Sequence, residues 1–248
     1  MLNEIIYSII QAATEFLPIS SDGHLAIASN LLGVPNLFFI TFLHLASLLA
    51  VIIFTRKEIV DILRFNKESW KLIFYIIFGI VPAVIFGLFF NNFIESTLTS
   101  YFLISVFFIF SGLVVFSTKY FQNLKNNLDK KSVFSIGLMQ ALALLPGVSR
   151  SGMTISTGLF FGIEKEKAVK FSFLMFIPLS IGAFLFEFIK YPGAIANIPI
   201  LTLIFSFVLC FVLSLLFLNI LNYLVKTAKF WIFGLYCIIL GILILIFF

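Results

Sequence analysis

The sequence predicts an all-α polytopic membrane protein: one integral membrane domain, 1–248, with an inverted-topology repeat, two re-entrant broken-helix hairpins and about six full transmembrane helices. Three observations carry this. Hydrophobic residues make up 62% of the 248 and charged residues only 11%, against about a quarter charged in soluble domains. Apolar stretches recur at the length of about 20 residues that crosses a hydrocarbon core. Two short polar islands, Glu15-Phe-Leu-Pro-Ile-Ser-Ser-Asp-Gly-His24 and Leu145-Pro-Gly-Val-Ser-Arg-Ser-Gly152, interrupt the apolar chain.

Region 1–36 comes first. It has neither a basic start nor a small-residue cleavage site, so no signal peptide is expected. Six apolar spans are read at 38–55, 72–90, 101–117, 171–189, 199–221 and 230–248, with the second broken region at 133–162. Segment 56–71 carries Arg56, Lys57, Arg64, Lys67 and Lys71, and 118–132 carries Lys119, Lys125, Lys130 and Lys131. Both are expected on the cytoplasmic side, as is 163–170 with Lys165, Lys167 and Lys170. Segment 91–100 has no basic residue and 190–198 only Lys190, so they are expected outside.

That alternation makes 133–162 enter and leave on one side, as two half-helices around Pro146, Gly147 and Gly152. Region 1–36, broken near Pro18 and Gly23, would enter from the opposite face. Gln11-Ala12 before Leu17-Pro18 is echoed by Gln140-Ala141 before Leu145-Pro146, an offset of 129 residues, about half the chain. The repeat halves are read as 1–128 and 129–248, with a site where the broken helices meet; chance similarity is the alternative.

A net charge of +5 does not indicate nucleic acid, because the basic residues sit in short loops rather than on one face. Cys210 and Cys237 lie in apolar runs and suit neither a disulfide framework nor a thiolate metal site. A homodimer is left open.

Ionisable groups inside membrane segments are costly and mark function. Glu15 reads as a proton acceptor, an orienter of a histidine or a cation ligand; the alternative is an interfacial acid. Ser21 and His24 stand at i and i+3, where a hydroxyl and an imidazole can act as nucleophile and base. Ser20 and Ser21 also suit helix capping after the proline, His24 suits a satisfied buried histidine, and Asp22 is either a cap or a second acid. Arg150, between Ser149 and Ser151 and ahead of Gly152 and Thr154, makes an anion site at a half-helix N-terminus. Its alternative is an ion pair with Glu15 or Asp22. His44 lines the site or plays a structural role, Glu187 with Lys190 reads as an interfacial pair, and Gln11 and Gln140 as interhelical hydrogen-bond glue.

The pair Glu15-Phe-Leu-Pro-Ile-Ser-Ser-Asp-Gly-His24 and Pro146-Gly-Val-Ser-Arg-Ser-Gly152 resembles the two signature motifs of the undecaprenyl-diphosphatase, or bacitracin-resistance, protein family, and length and hydropathy agree over essentially the whole chain. The resemblance implies removal of the terminal phosphate of undecaprenyl diphosphate, at a site on the outer face of the bacterial cytoplasmic (inner) membrane. It implies catalytic roles for Glu15, Ser21 and His24 and phosphate binding by Arg150 with its flanking serines; Arg150 is read as catalytic too, since a guanidinium there stabilises charge on the transferred phosphoryl group. Ser20, Ser149, Ser151, Gly152 and Thr154 would bind substrate, with Mg²⁺ or Ca²⁺ as the expected cofactor. The chain departs from the family at Gln11, where some relatives carry a second Glu, and at Asp22, where Ser or Thr is usual. Asp22 would supply the second acid beside Glu15 for the metal. A polyprenyl-phosphate transporter or flippase is the rival, since broken helices meeting at mid-membrane are transporter architecture. A channel is disfavoured because Arg150 stands alone rather than in a ring.

Overall fold

The computed structural model describes residues 2–33, 37–121, 126–190 and 199–248. Lys125, the connection 191–198 and the end of region 1–36 lie outside the described residues. Those described are helical: α1 (Leu2–Phe16), α2 (Ser21–Leu32), α3 (Leu37–Phe54), α4 (Arg56–Ile62), α5 (Lys67–Thr97), α6 (Tyr101–Ser117), α7 (Lys130–Leu142), α8 (Arg150–Phe160), α9 (Lys165–Lys190), α10 (Ile200–Lys226) and α11 (Ile232–Phe247). An isolated β-bridge joins Asn126 to Ile163.

Helices α5, α6, α9 and α10 are long and apolar enough to cross a membrane. A fifth crossing exists if α3 and α4, bent by 72° at Thr55, form one span; α11, though apolar, is shorter. The chain is therefore a multi-pass membrane protein. Its outer surface is hydrocarbon, with Phe89, Leu201 and Phe247 largely exposed, as lipid contact requires. Inside, Phe16, Phe173 and Phe176 pack edge to face and join the largest buried cluster with Ile155 and Val115.

Short helices α1 and α2 pack against each other, as do α7 and α8, and each pair is joined by a non-helical tip. In the first tip Pro18 ends the chain's helical path, and Ser20 adopts φ of +67°, a conformation a non-glycine residue holds only when its surroundings over-determine it. Two hydrogen bonds do so. The Ser20 hydroxyl accepts from Gly23 N at 3.3 Å, capping α2, and from Gly147 N at 3.1 Å in the other tip. Gly147 has φ of +101°, and a Cβ there would lie 2.6 Å from the Ile104 carbonyl oxygen, so only glycine fits. The two polar islands thus touch tip to tip inside the helix bundle.

Candidate active site

Glu15 lies in the last turn of α1, its side chain 5% exposed. Gln11, one turn earlier, donates Nε2–H to Glu15 Oε2 at 3.1 Å, and the Ser21 hydroxyl donates to the same oxygen at 2.7 Å. Arg150, the first residue of α8, donates from Nη2 to Glu15 Oε1. His44 of α3 places Nε2 3.5 Å from Oε2. Its Nδ1 is 3.0 Å from the Ile40 carbonyl, which can only accept, so Nδ1 carries a proton. The Arg150 guanidinium also lies 3.8 Å over the Phe176 ring, which holds its plane and shields one face. Its Nη1 is buried without a hydrogen-bond partner.

These groups open on a cleft of about 250 Å³, also lined by Ser20, Asp22, Thr41, Gln140, Ser149, Ser180 and Glu187. Along α9 the lining residues Phe176, Ser180, Ala183 and Glu187 form one face, about 16 Å long at the helical rise. A hydroxyl bonded to a carboxylate, beside a guanidinium with an unused donor, is a nucleophile–base pair facing an anion clamp.

Several sequence-expected site residues stand elsewhere. His24 is not paired with Ser21. Its Nδ1 donates to the Ser20 carbonyl at 2.7 Å, its Nε2 meets the Tyr236 hydroxyl at 2.8 Å, and the two rings stack at 8°. The i,i+3 spacing is present, but Ser20 O and Tyr236 hold the imidazole towards α11 while Ser21 turns to Glu15. Ser151, Gly152 and Thr154 do not line the cleft either, because α8 runs away from it. Ser151 Oγ is fully buried near Leu17 O, Gly152 N donates to Ser149 Oγ at 3.1 Å, and Thr154 Oγ1 is 2.8 Å from Arg150 O and 2.6 Å from Ser172 Oγ. Ser20 and Ser149 do reach the cleft, each while capping its helix. Asp22 reaches it with an exposed side chain.

Two lining residues differ from their sequence expectation. Gln140, expected as glue, bonds to nothing with its amide. Glu187, expected to pair with Lys190 at the interface, faces the cleft and buries Oε2 without a hydrogen bond, while Lys190 bridges Glu95 at 3.1 Å. The available signal was the face of α9 that Glu187 shares with Ser180.

The donor set does not fit a resident divalent cation. Among the described residues no three His, Cys, Asp or Glu side chains stand together as metal ligands, and both Glu15 oxygens already face Arg150, Ser21 and Gln11. Glu15, expected beside Asp22 at a metal, is ion-paired with Arg150, while Asp22 lines the same cleft.

Residues 4–243 match the family model described as bacitracin resistance protein BacA. The chain is 39% identical to an undecaprenyl-diphosphatase of Methanococcus maripaludis, over 99% of this chain and 100% of the relative. It is 41% identical to one of Thermosipho africanus over 98% of each. It is 36% identical to one of Bacteroides thetaiotaomicron over 99% of this chain and 98% of the relative.

Proposed function

The chain belongs to the bacitracin resistance protein BacA family, and from that membership we propose that Ser21, Glu15 and Arg150 cleave the phosphoanhydride of a lipid diphosphate in the cleft. The protein hydrolyses undecaprenyl diphosphate to undecaprenyl phosphate and inorganic phosphate, which recycles the lipid carrier for cell-wall synthesis and underlies bacitracin resistance. The observation that carries the mechanism is the buried chain Ser21 Oγ–Glu15–Arg150 opening on one polar cleft.

Arg150 Nη1, the donor left over from the ion pair, takes an oxygen of the terminal phosphoryl group and stabilises charge there as transfer proceeds. Ser21 Oγ attacks the terminal phosphorus and its proton passes to Glu15 Oε2. The bond from phosphorus to the bridging oxygen breaks, and undecaprenyl phosphate leaves with the electron pair. Water then attacks the phosphoserine phosphorus, the bond from phosphorus to Ser21 Oγ breaks, Ser21 regains the proton from Glu15, and both protons of the water leave on the phosphate as dihydrogen phosphate. His44 beside Glu15 joins this proton path.

Charge governs how the substrate arrives. Glu15, Asp22 and Glu187 oppose Arg150 in the cleft, an acidic balance that would repel a bare diphosphate. A divalent cation, Mg²⁺ or Ca²⁺, therefore comes in on the diphosphate rather than on a protein-built site. Past Asp22 and Leu144 the cleft meets a largely apolar groove of about 440 Å³ lined by Leu25, Ala26, Ile94 and Leu98, which suits the first isoprene units.

Six crossings, with α3–α4 and α11 as the remaining two, and the inverted repeat complete this reading. The cleft reaches Glu187 near the end of α9 opposite Lys165 and Lys167, so it opens on the outer side of the cytoplasmic membrane. Carrier transport is the second reading, favoured by the tip-to-tip contact of Ser20 and Gly147. Purified protein assayed for phosphate release from prenyl diphosphates separates the two: hydrolysis gives phosphate that Arg150→Ala abolishes, whereas transport moves the intact lipid with no phosphate.

A further inference from the structure

Gln140 of α7 is fully buried, lines the cleft, and has neither Nε2 nor Oε1 in a hydrogen bond. A buried amide left unpaired is destabilising by an amount comparable to several ordinary contacts, so its retention calls for a partner from outside the chain. The corresponding glutamine of the other half shows what is missing. Gln11 donates to Glu15, four residues on; four residues after Gln140 stands Leu144, which offers nothing polar. The same spacing that ties Gln11 to its own helix leaves Gln140 for a ligand.

Gln140 and Leu144 lie one turn apart on the wall of the cleft, and Leu144 also lines the apolar groove beyond it. With the headgroup in the cleft and the isoprenoid in the groove, the wall that carries Gln140 and Leu144 would border the junction between them. Resting on the hydrolytic reading of the cleft, we propose that Gln140 is a substrate-binding residue whose Nε2–H donates to the lipid-attached phosphate. An uncharged donor suits this place, since that phosphate must be held in the substrate and released in the product. Arg150 and Gln140 then divide the diphosphate between a cationic and a neutral donor, one on each phosphate.

The test compares wild-type protein, Gln140→Leu and Arg150→Ala in detergent, with turnover of a prenyl diphosphate and inhibition by prenyl monophosphate and by inorganic phosphate. Loss of one hydrogen bond to a charged ligand predicts a KM about 10- to 100-fold higher for Gln140→Leu. Inhibition by prenyl monophosphate weakens in parallel, while inhibition by inorganic phosphate and kcat change little. The melting temperature of ligand-free Gln140→Leu is unchanged or higher, because an unpaired buried amide has been replaced by an apolar group. An unchanged KM, weakened inhibition by inorganic phosphate alone, or a lower melting temperature overturns the assignment. Gln140→Met, closer in length, carries the same test should Gln140→Leu fail to fold. Arg150→Ala keeps the two readings apart: normal phosphate release by that variant defeats the hydrolytic mechanism whatever Gln140 does.

Discussion

Glu15 and Arg150 neutralise each other across 135 residues of sequence, joining the end of α1 to the start of α8. The pair is at once structural and chemical. It holds the two tips together in the bundle, with Arg150 Nη1 left without a hydrogen-bond partner and Glu15 Oε2 accepting from the Ser21 hydroxyl.

Breaking that pair therefore has two separable consequences. Removing one member of a buried ion pair is destabilising by about 3–5 kcal/mol, so Arg150→Ala lowers the melting temperature as well as abolishing phosphate release. Glu15→Gln keeps an acceptor for Arg150 but cannot take the Ser21 proton. It should stay closer to wild type in stability and lose roughly 10²- to 10⁴-fold in kcat. Thermal melts run beside phosphate-release assays check both; a Glu15→Gln enzyme of normal turnover removes Glu15 from its role as base.

Ser21→Ala removes the proposed nucleophile while leaving Glu15 its bonds to Arg150 and Gln11. Turnover should fall to the detection limit with lipid-substrate affinity retained. Brief exposure of wild-type protein to substrate labelled in the terminal phosphate, followed by acid quench, should trap label on Ser21. Label on another residue, or robust turnover by Ser21→Ala, assigns the attack elsewhere.

His24 bonds away from Ser21 and Glu15. Its bonds to Ser20 O and Tyr236 brace the strained first tip, so His24→Ala and Tyr236→Phe should both lower stability. Combined, they should show a coupling energy of about 0.5–3 kcal/mol. Residual His24→Ala activity should keep the wild-type pH profile. Loss of one limb of that profile would make His24 a participant in proton transfer.

Chelation separates a travelling cation from a resident one. Removing divalent ions should stop turnover without lowering the melting temperature of the ligand-free protein, and calorimetric titration with Mg²⁺ alone should give no tight site. Submicromolar Mg²⁺ binding by the free protein would establish a resident cation.

Orientation follows from labelling. Ser96→Cys, at the end of α5, should react with an impermeant maleimide in intact cells, and Lys131→Cys, in the first turn of α7, only after lysis. Both native cysteines are buried and should stay silent. The reverse pattern would turn the cleft to the cytoplasm.

Composition, loop charge and the two motifs sufficed for the membrane class, the broken regions and the family, because each depends on local quantities: hydrocarbon length, a proline or glycine where a helix must stop, a charge beside a span. Glu15, Ser21 and Arg150 were legible for the same reason, as ionisable or nucleophilic groups out of place in hydrocarbon. Which groups pair was not local. Ser21 and His24 share a helical spacing, yet Tyr236, 212 residues away, holds the imidazole off the cleft. Glu187 and Gln140 looked interfacial and adhesive until α9 and α7 turned them towards one cavity. The costly residues and the breaks that present them follow from burial energetics that any stretch of chain carries alone. That Ser21 bonds Glu15 rather than His24, and that a guanidinium faces Glu15, emerges only in three dimensions, because those pairings rest on distances between helices that no spacing along the chain encodes.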